Sequence, residues 1–247
     1  MNLTAPEHWL TLLVGGALAG ALNTLAGGGS FLTVPLLIFV GVPAGIANGT
    51  NRIGVAAQSA AAVAGFGREG VRELTVALRF LPATLAGTLL GASLATRVPD
   101  EWFQFGFALL MLAFLPLLWR PSAQFERRTR TGASVQLSFA AMGFYGGVVQ
   151  AGLGIPLLMA LVAVAGLDLV RANAAKVAIN TVQQSLALAV FAGSGQVWWI
   201  PGLALAAGSA VGGYVASRFG ARRGERFLRP VVALAVLAMA LRLLFVL

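Results

Sequence analysis

Long apolar stretches fill this chain, and what divides them is glycine, proline or a run of arginine. Trp9–Ala26 reads as a first apolar arm, ended by the triplet Gly27, Gly28 and Gly29, and Ser30 to about Val40 reads as a short second arm. Longer helices are expected near Pro43–Phe66, Arg72–Ala95 and Glu101–Leu118. After the polar loop RPSAQFERRTRTGAS the pattern resumes, with an arm from about Val135 to Gln150, a break at Ala151–Pro156 and a short arm to about Ala165. Helices near Leu169–Ala192, Val197–Ser217 and Phe227–Val246 complete the prediction. A helix needs about 20 apolar residues to cross a membrane. Stretches of that length recur from end to end, and the period-two alternation of a membrane barrel does not. The pattern predicts an all-α polytopic membrane protein.

The second half restates the first at a constant offset of 125 positions. Gly27 meets Gly152 and Gly29 meets Gly154; Gly41 meets Gly166, Asn48 meets Asn173, Gln58 meets Gln183, Phe66 meets Phe191, Gly70 meets Gly195 and Gly87 meets Gly212. The expected division is therefore 1–120 as a first transmembrane repeat, 121–133 as a basic cytoplasmic linker and 134–247 as a second repeat. Loop charges orient the two. Arginine clusters at 68/72, 120–130 and 218–229 belong on the cytoplasmic side, while the loops at Val98–Glu101 and Gly193–Gln196 carry no cation. All five tryptophans fall at segment ends, as interface anchors do. Each half holds three long crossings, an odd number, so the second repeat is expected to be inverted relative to the first. With each broken arm pair counted as a re-entrant hairpin, this makes about 8 membrane segments. Inverted repeats with broken helices are a common build of secondary transporters, with the substrate near the midplane where the repeats meet.

Composition removes most chemistry. The chain of 247 residues is 58% hydrophobic and 10% charged, with mean hydropathy +0.86, against about 25% charged in a soluble domain. It has no cysteine and one histidine, His8 near the N-terminus, so thiol catalysis, disulfides, thiolate metal sites and a histidine triad in the membrane are excluded. No enzyme activity, metal or cofactor is expected. The net charge of +9 reflects arginine-rich loops and not a nucleic-acid partner. Glu7 and His8 precede the first apolar run, which reads as part of the fold and not as a cleaved signal.

The glycine breaks carry the first candidate site. Non-helical backbone at membrane depth is tolerated where it is buried in protein or lines a cavity, and helix N-termini bind anions through free N–H groups and a partial positive charge. Gly27, Gly28, Gly29 and Ser30, with the hydroxyl of Thr33, are candidates in the first half; Gln150, Gly152 and Gly154 are their counterparts. The competing reading is close helix packing through small residues. The helix after each break carries a polar stripe: Asn48, Asn51, Arg52 and Gln58 in the first half, Asn173, Lys176, Asn180 and Gln183 in the second. Such amides can also serve only as interhelical hydrogen bonds. Arg52 and Lys176, the only lysine, stand well inside their helices, where a cation is by default a functional candidate and snorkelling to the interface is the alternative. All eight acids lie at segment ends or in loops, Asp168 with Arg171 among them as interfacial charges. Two buried cations with no buried acid describe an anion site. Neutralising Lys176 is expected to lower anion transport and leave folding intact.

The segment GALNTLAGGGSFLTVPLLIFVGVPAGIANGTN and its weaker copy GGVVQAGLGIPLLMALVAVAGLDLVRANAAK resemble the sulfite exporter TauE/SafE family of membrane permeases over nearly the whole chain. The resemblance implies transport of sulfite or related organosulfonates without ATP hydrolysis, in the bacterial cytoplasmic membrane. The second copy departs from the pattern, since it lacks the glycine triplet and has Ala174-Ala175-Lys176 for the threonine-containing turn. The expected partners are a small anionic substrate and the lipid bilayer. A coupling ion, H+ or Na+, and a homodimer stay open, as do an uncoupled anion channel and a carriage of carboxylates.

Overall fold

The computed structural model describes residues 6–25, 27–119 and 132–219, together with Leu237 and Ala240. The arginine clusters at 120–130 and 222–229 and the predicted helix Phe227–Val246 lie outside these residues. The described residues form nine α-helices: α1 (Pro6–Leu25), α2 (Ser30–Phe39), α3 (Ala44–Arg68), α4 (Leu74–Ala95), α5 (Asp100–Trp119), α6 (Ala133–Val148), α7 (Gly154–Ala165), α8 (Leu169–Gly193) and α9 (Trp199–Phe219). Both predicted breaks are present, and most boundaries fall within two or three residues of expectation. α3 runs two residues past Phe66 because its stop is Gly70, left-handed at φ 78°, which lets the Val71 N–H donate back to the Phe66 carbonyl. Gly195 ends α8 in the same way, with the Gln196 N–H on the Phe191 carbonyl.

Polarity is arranged for lipid. Leu10, Leu18, Leu78, Leu90, Leu137 and Ile200 are exposed, while Asn48, Asn51, Arg52, Gln58, Lys176 and Gln183 are buried. Three described helices, Glu7–Leu25, Leu74–Ala95 and Trp199–Arg218, are long and apolar enough to cross a membrane. α3 and α8 have 25 residues each and are longer still. Their polar stripes lower their hydropathy and are buried inside the helical bundle.

Partners are exchanged between the halves. α1 packs on α9, α9 on α3, α4 on both α6 and α8, and α3 on α8. Two seams bring backbones together through glycine. A methyl group on Gly208 or Gly212 of α9 would strike the Leu13 or Ala17 carbonyl of α1; one on Gly87 or Gly91 of α4 would strike the Ala140 or Phe144 carbonyl of α6. Both pairs are spaced by four residues, which puts them on one helix face. Apolar side chains gain little by associating in lipid, so this close approach is what holds such seams. Acids finish the helix ends. An Asp100 oxygen accepts the Gly45 N–H at the start of α3 (2.8 Å), and Asp168 accepts from Val170 and Arg171 at the start of α8 (2.9 and 3.0 Å). Their negative charge lies at the positive end of each helix dipole.

Candidate functional site

At the first break α1 ends at Leu25, and the Gly27 N–H closes it by donating to the Leu22 and Asn23 carbonyls, both at 3.1 Å. Gly27 is left-handed, at φ 81°, and turns the chain so that α2 starts at Ser30. The second break uses two left-handed residues, Gln150 at φ 67° and Gly152 at φ 76°, before α7 starts at Gly154. A side chain is costly in that region, so Gln150 holds its place against local strain. The Tyr145 hydroxyl pins the turn by donating to the Ala151 carbonyl at 2.5 Å. Neither α2 nor α7 has a side-chain cap at its N-terminus.

The two breaks meet. A methyl on Gly27 would collide with the Cα of Gly154, and one on Gly154 with the Cα of Gly27. Thus the tips of the α1–α2 and α6–α7 hairpins touch backbone to backbone, with no side chain between them. Beside the first tip lies a polar cavity of about 10 Å³, room for about one water molecule, lined by Asn23, Ser30, Thr33, Asn51, Gln58 and Ser209 with small residues around them. Thr33 donates to the Asn51 Oδ1 (2.6 Å), and the Asn51 Nδ2 donates to the Ser30 hydroxyl (3.3 Å). Gln58 accepts from Asn23 (2.7 Å) and donates to the Thr24 hydroxyl (2.6 Å).

Each buried cation serves the hairpin of the other half. Arg52 of α3 is fully buried and donates to the Gly146 and Gly147 carbonyls at the C-terminal end of α6 (2.5 and 2.9 Å), to the Gln184 Oε1 (2.9 Å) and to the Asn48 Oδ1 (3.0 Å). Its guanidinium carbon sits 5.2 Å from the Phe191 ring centre. Asn48 adds a bond of 2.8 Å to the Val148 carbonyl, and Gln184 passes one of 2.6 Å on to the Gln150 Oε1. Lys176 of α8, also fully buried, donates to the Asn23 and Thr24 carbonyls at the C-terminal end of α1 (3.1 and 2.9 Å). The last carbonyls of a helix have no partner within it and carry its negative dipole end, so a cation there satisfies both demands. Neither cation snorkels to the interface. The sequence expectation turned both toward an anion; in this structure Arg52 is directed to carbonyls and amides, and Lys176 donates to carbonyls of α1.

The structure brings Gly27, Gly28, Gly29, Ser30 and Asn51 to one tip, and Arg52, Asn48 and Gln150 to the underside of the other. On α8 the Asn173 and Asn180 Oδ1 atoms and the Gln183 Oε1, with the Gln150 Nε2, are buried without a hydrogen-bond partner. Buried polar atoms are rarely left so; three of these four lie on α8 and the fourth at the second break. Sequence reasoning missed Gln184, Asn23, Thr24, Tyr145 and Ser209. The adjacent glutamines 183 and 184 in an apolar helix were the visible signal for the first of these; the offset drew attention to Gln183 alone.

The profile of the family described as sulfite exporter TauE/SafE matches residues 12–243. The chain belongs to that family. Its relatives include the "Probable membrane transporter protein ORF9" of Sinorhizobium sp, 30% identical over 237 residues that cover 94% of this chain and 91% of the relative. The "Probable membrane transporter protein YfcA" of Escherichia coli K12 is 27% identical, covering 92% and 86%. A "Probable membrane transporter protein" of Haemophilus influenzae is 26% identical, covering 93% and 92%. No solved structure matches the chain. As a TauE/SafE member with an apolar exterior, the protein is a membrane transporter, and the names of its relatives indicate transport rather than enzymatic catalysis.

Lys176 gives a first test of how the site is divided. Lys176→Met removes both bonds to the end of α1 and is expected to lower the melting temperature in detergent by several degrees. Lys176→Gln keeps one donor and is expected to melt within a few degrees of wild type. Equal melting of Lys176→Met and wild type would show that the bonds to Asn23 and Thr24 add nothing to stability.

Proposed function

We propose that the protein is a secondary transporter of a small sulfur-containing oxyanion, sulfite or an organosulfonate, built from two inverted repeats and worked by alternating access around the hairpin tips. The observation that carries this reading is the meeting of the two hairpin tips at Gly27 and Gly154, near the starts of α2 and α7, with a fully buried cation at the last carbonyls of α1 and of α6. Among the described acids only Glu73 is buried; it stands at the start of α4 and is paired with Arg171. A site with donors and cations and without a carboxylate selects anions. Ser30, Thr33 and Asn51 would hold oxygens at the first tip, together with N–H groups of Gly28 and Gly29.

The duplication is supported by geometry as well as sequence. Left-handed glycines recur as pairs at 27 and 152, 41 and 166, and 70 and 195, all at the same offset. The packing of α1 on α9 becomes that of α6 on α4 when the halves are exchanged, and α3 on α9 becomes α8 on α4. With the arginine-bearing ends of α3 and α9 inside, the α1–α2 hairpin enters from the outer face and the α6–α7 hairpin from the inner one. The two proposed sites are unequal. Ser30 and Thr33 correspond to Ile155 and Leu158, and Asn51 to Lys176, so the polar cavity belongs to the first repeat.

The test is flux of radiolabelled sulfite and of ethanesulfonate into proteoliposomes, with and without H+ or Na+ gradients. Saturable, gradient-driven uptake that Lys176→Gln lowers by about tenfold or more, the weight of ~1.4 kcal/mol of lost interaction, is the expected result. Uptake that only follows the anion's own gradient would make the protein a channel, and wild-type uptake by Lys176→Gln would remove Lys176 from the site.

A further inference from the structure

A second cavity, absent from the expectations above, opens at the arginine-bearing end of α3. It is a groove of about 460 Å³ between the end of α3, the start of α4 and the first turns of α8, lined among others by Phe66, Arg68, Arg72, Glu73, Ala174 and Ala178. Glu73 is ion-paired with Arg171, which ties α4 to α8 at the groove's edge. Arg68 is steadied by the Tyr214 hydroxyl at 2.9 Å. Its floor is a layer of four apolar side chains, Ala62 and Phe66 of α3 with Ala174 and Val177 of α8, which pack as one buried cluster and are at most 5% exposed.

What lies beneath the layer decides its meaning. Asn51, Val55, Gln58, Ala62 and Phe66 are spaced by four, three, four and four residues, so they form one stripe down α3. Asn51, Val55 and Gln58 line the polar cavity at the first hairpin tip. Phe66 stands about 12 Å from Gln58 along the helix. On α8 Val177 adjoins Lys176. The groove and the polar cavity thus lie along one helix, α3, with Ala62 on the stripe between Gln58 of the cavity and Phe66 of the groove.

We propose that the groove is a cytoplasmic anion vestibule, with Arg68 and Arg72 as its charged subsite, and that the layer of Ala62, Phe66, Ala174 and Val177 is the gate between it and the polar cavity. This rests on the transporter reading, because a gate needs a path to close. Two arginines attract small anions to the mouth. Phe66 is the largest side chain of the layer, and its ring keeps water from the amides below.

The cysteine-free sequence allows a direct test. Single cysteines are introduced at Ala178, in the vestibule, and at Val55, in the polar cavity, and a membrane-impermeant maleimide is applied to inside-out or right-side-out vesicles. Ala178→Cys is expected to react from the cytoplasmic face, and ethanesulfonate to slow it unless Arg68 and Arg72 are both changed to Gln. Val55→Cys, whose cavity holds no more than about one water, is probed with Ag+ in place of the maleimide; it is expected to react slowly, and Phe66→Ala to speed it about tenfold while Phe66→Leu, which keeps the layer apolar, leaves it slow. A rate at Val55→Cys that ignores Phe66→Ala in protein of wild-type elution profile overturns the gate. Labelling of Ala178→Cys from the outer face overturns the vestibule. So does labelling that responds to phosphatidylglycerol in the vesicle and not to ethanesulfonate, which would make the groove a lipid site. Flux in the same vesicles separates the two readings. Expected labelling without flux would sink the transporter reading, and flux with the wrong labelling would sink the vestibule alone.

Discussion

Arg52→Leu is expected to remove most of the folded protein. The side chain donates to four acceptors within 3.0 Å, two carbonyls at the end of α6 and the oxygens of Asn48 and Gln184, all on buried residues. Leaving a buried acceptor unsatisfied costs about 1–3 kcal/mol. Four together approach the whole stability of a typical protein, about 5–15 kcal/mol. Leucine fills part of the volume and answers none of the acceptors. Arg52→Lys keeps a charge and loses the fork that spans helix end and side chains at once, so it is expected to fall between. The measurement is the monodisperse fraction and melting temperature in detergent beside sulfite flux. If Arg52→Leu melts like wild type and only flux is lost, Arg52 serves the substrate and not the end of α6.

The second large effect is expected at the tips. Gly154→Ala places a methyl group against the backbone of Gly27, which cannot yield as a flexible side chain would. Over-packing of this kind costs about 1–3 kcal/mol, and Gly27→Ala adds the strain of a left-handed alanine, about 1–2 kcal/mol. Gly70→Ala separates the two costs, since Gly70 is also left-handed, at φ 78°, but meets nothing within 4 Å. The expected order of melting temperatures is Gly70→Ala above Gly154→Ala above Gly27→Ala, with uptake lost in the last two. Gly154→Ala that melts and transports like wild type would mean the tips stand further apart than they do here.

The helices and both breaks were legible because each rests on local chemistry. Gly27, Gly41, Gly70, Gly152, Gly166 and Gly195 mark where the chain turns left-handed, and apolar length marks what lies between. Burial of Arg52 and Lys176 was legible too, from their depth in α3 and α8. Their partners were not. Arg52 reaches α6 across 94 positions and Lys176 reaches α1 across 153, and no periodicity encodes which helix end will lie beside a given residue. Gln183 and Gln184 differ by one position and by about 100° around the helix. Only packing against α3 and the second break shows that Gln184 joins Arg52.

The meeting of Gly27 and Gly154 has a mechanical consequence. The Gly27–Gly154 contact itself is bare backbone, but beside it the Phe31 ring of α2 lies against Gly152 of the second break, so a slide of one hairpin over the other would have to carry that ring with it. Resistance to such a slide resides in the bonds of Arg52 to α6 and of Lys176 to α1, and in the glycine seams that hold α1 on α9 and α6 on α4. Travel of either hairpin would therefore require its cation to stretch or exchange carbonyls and its glycine seam, α1 on α9 or α6 on α4, to shear.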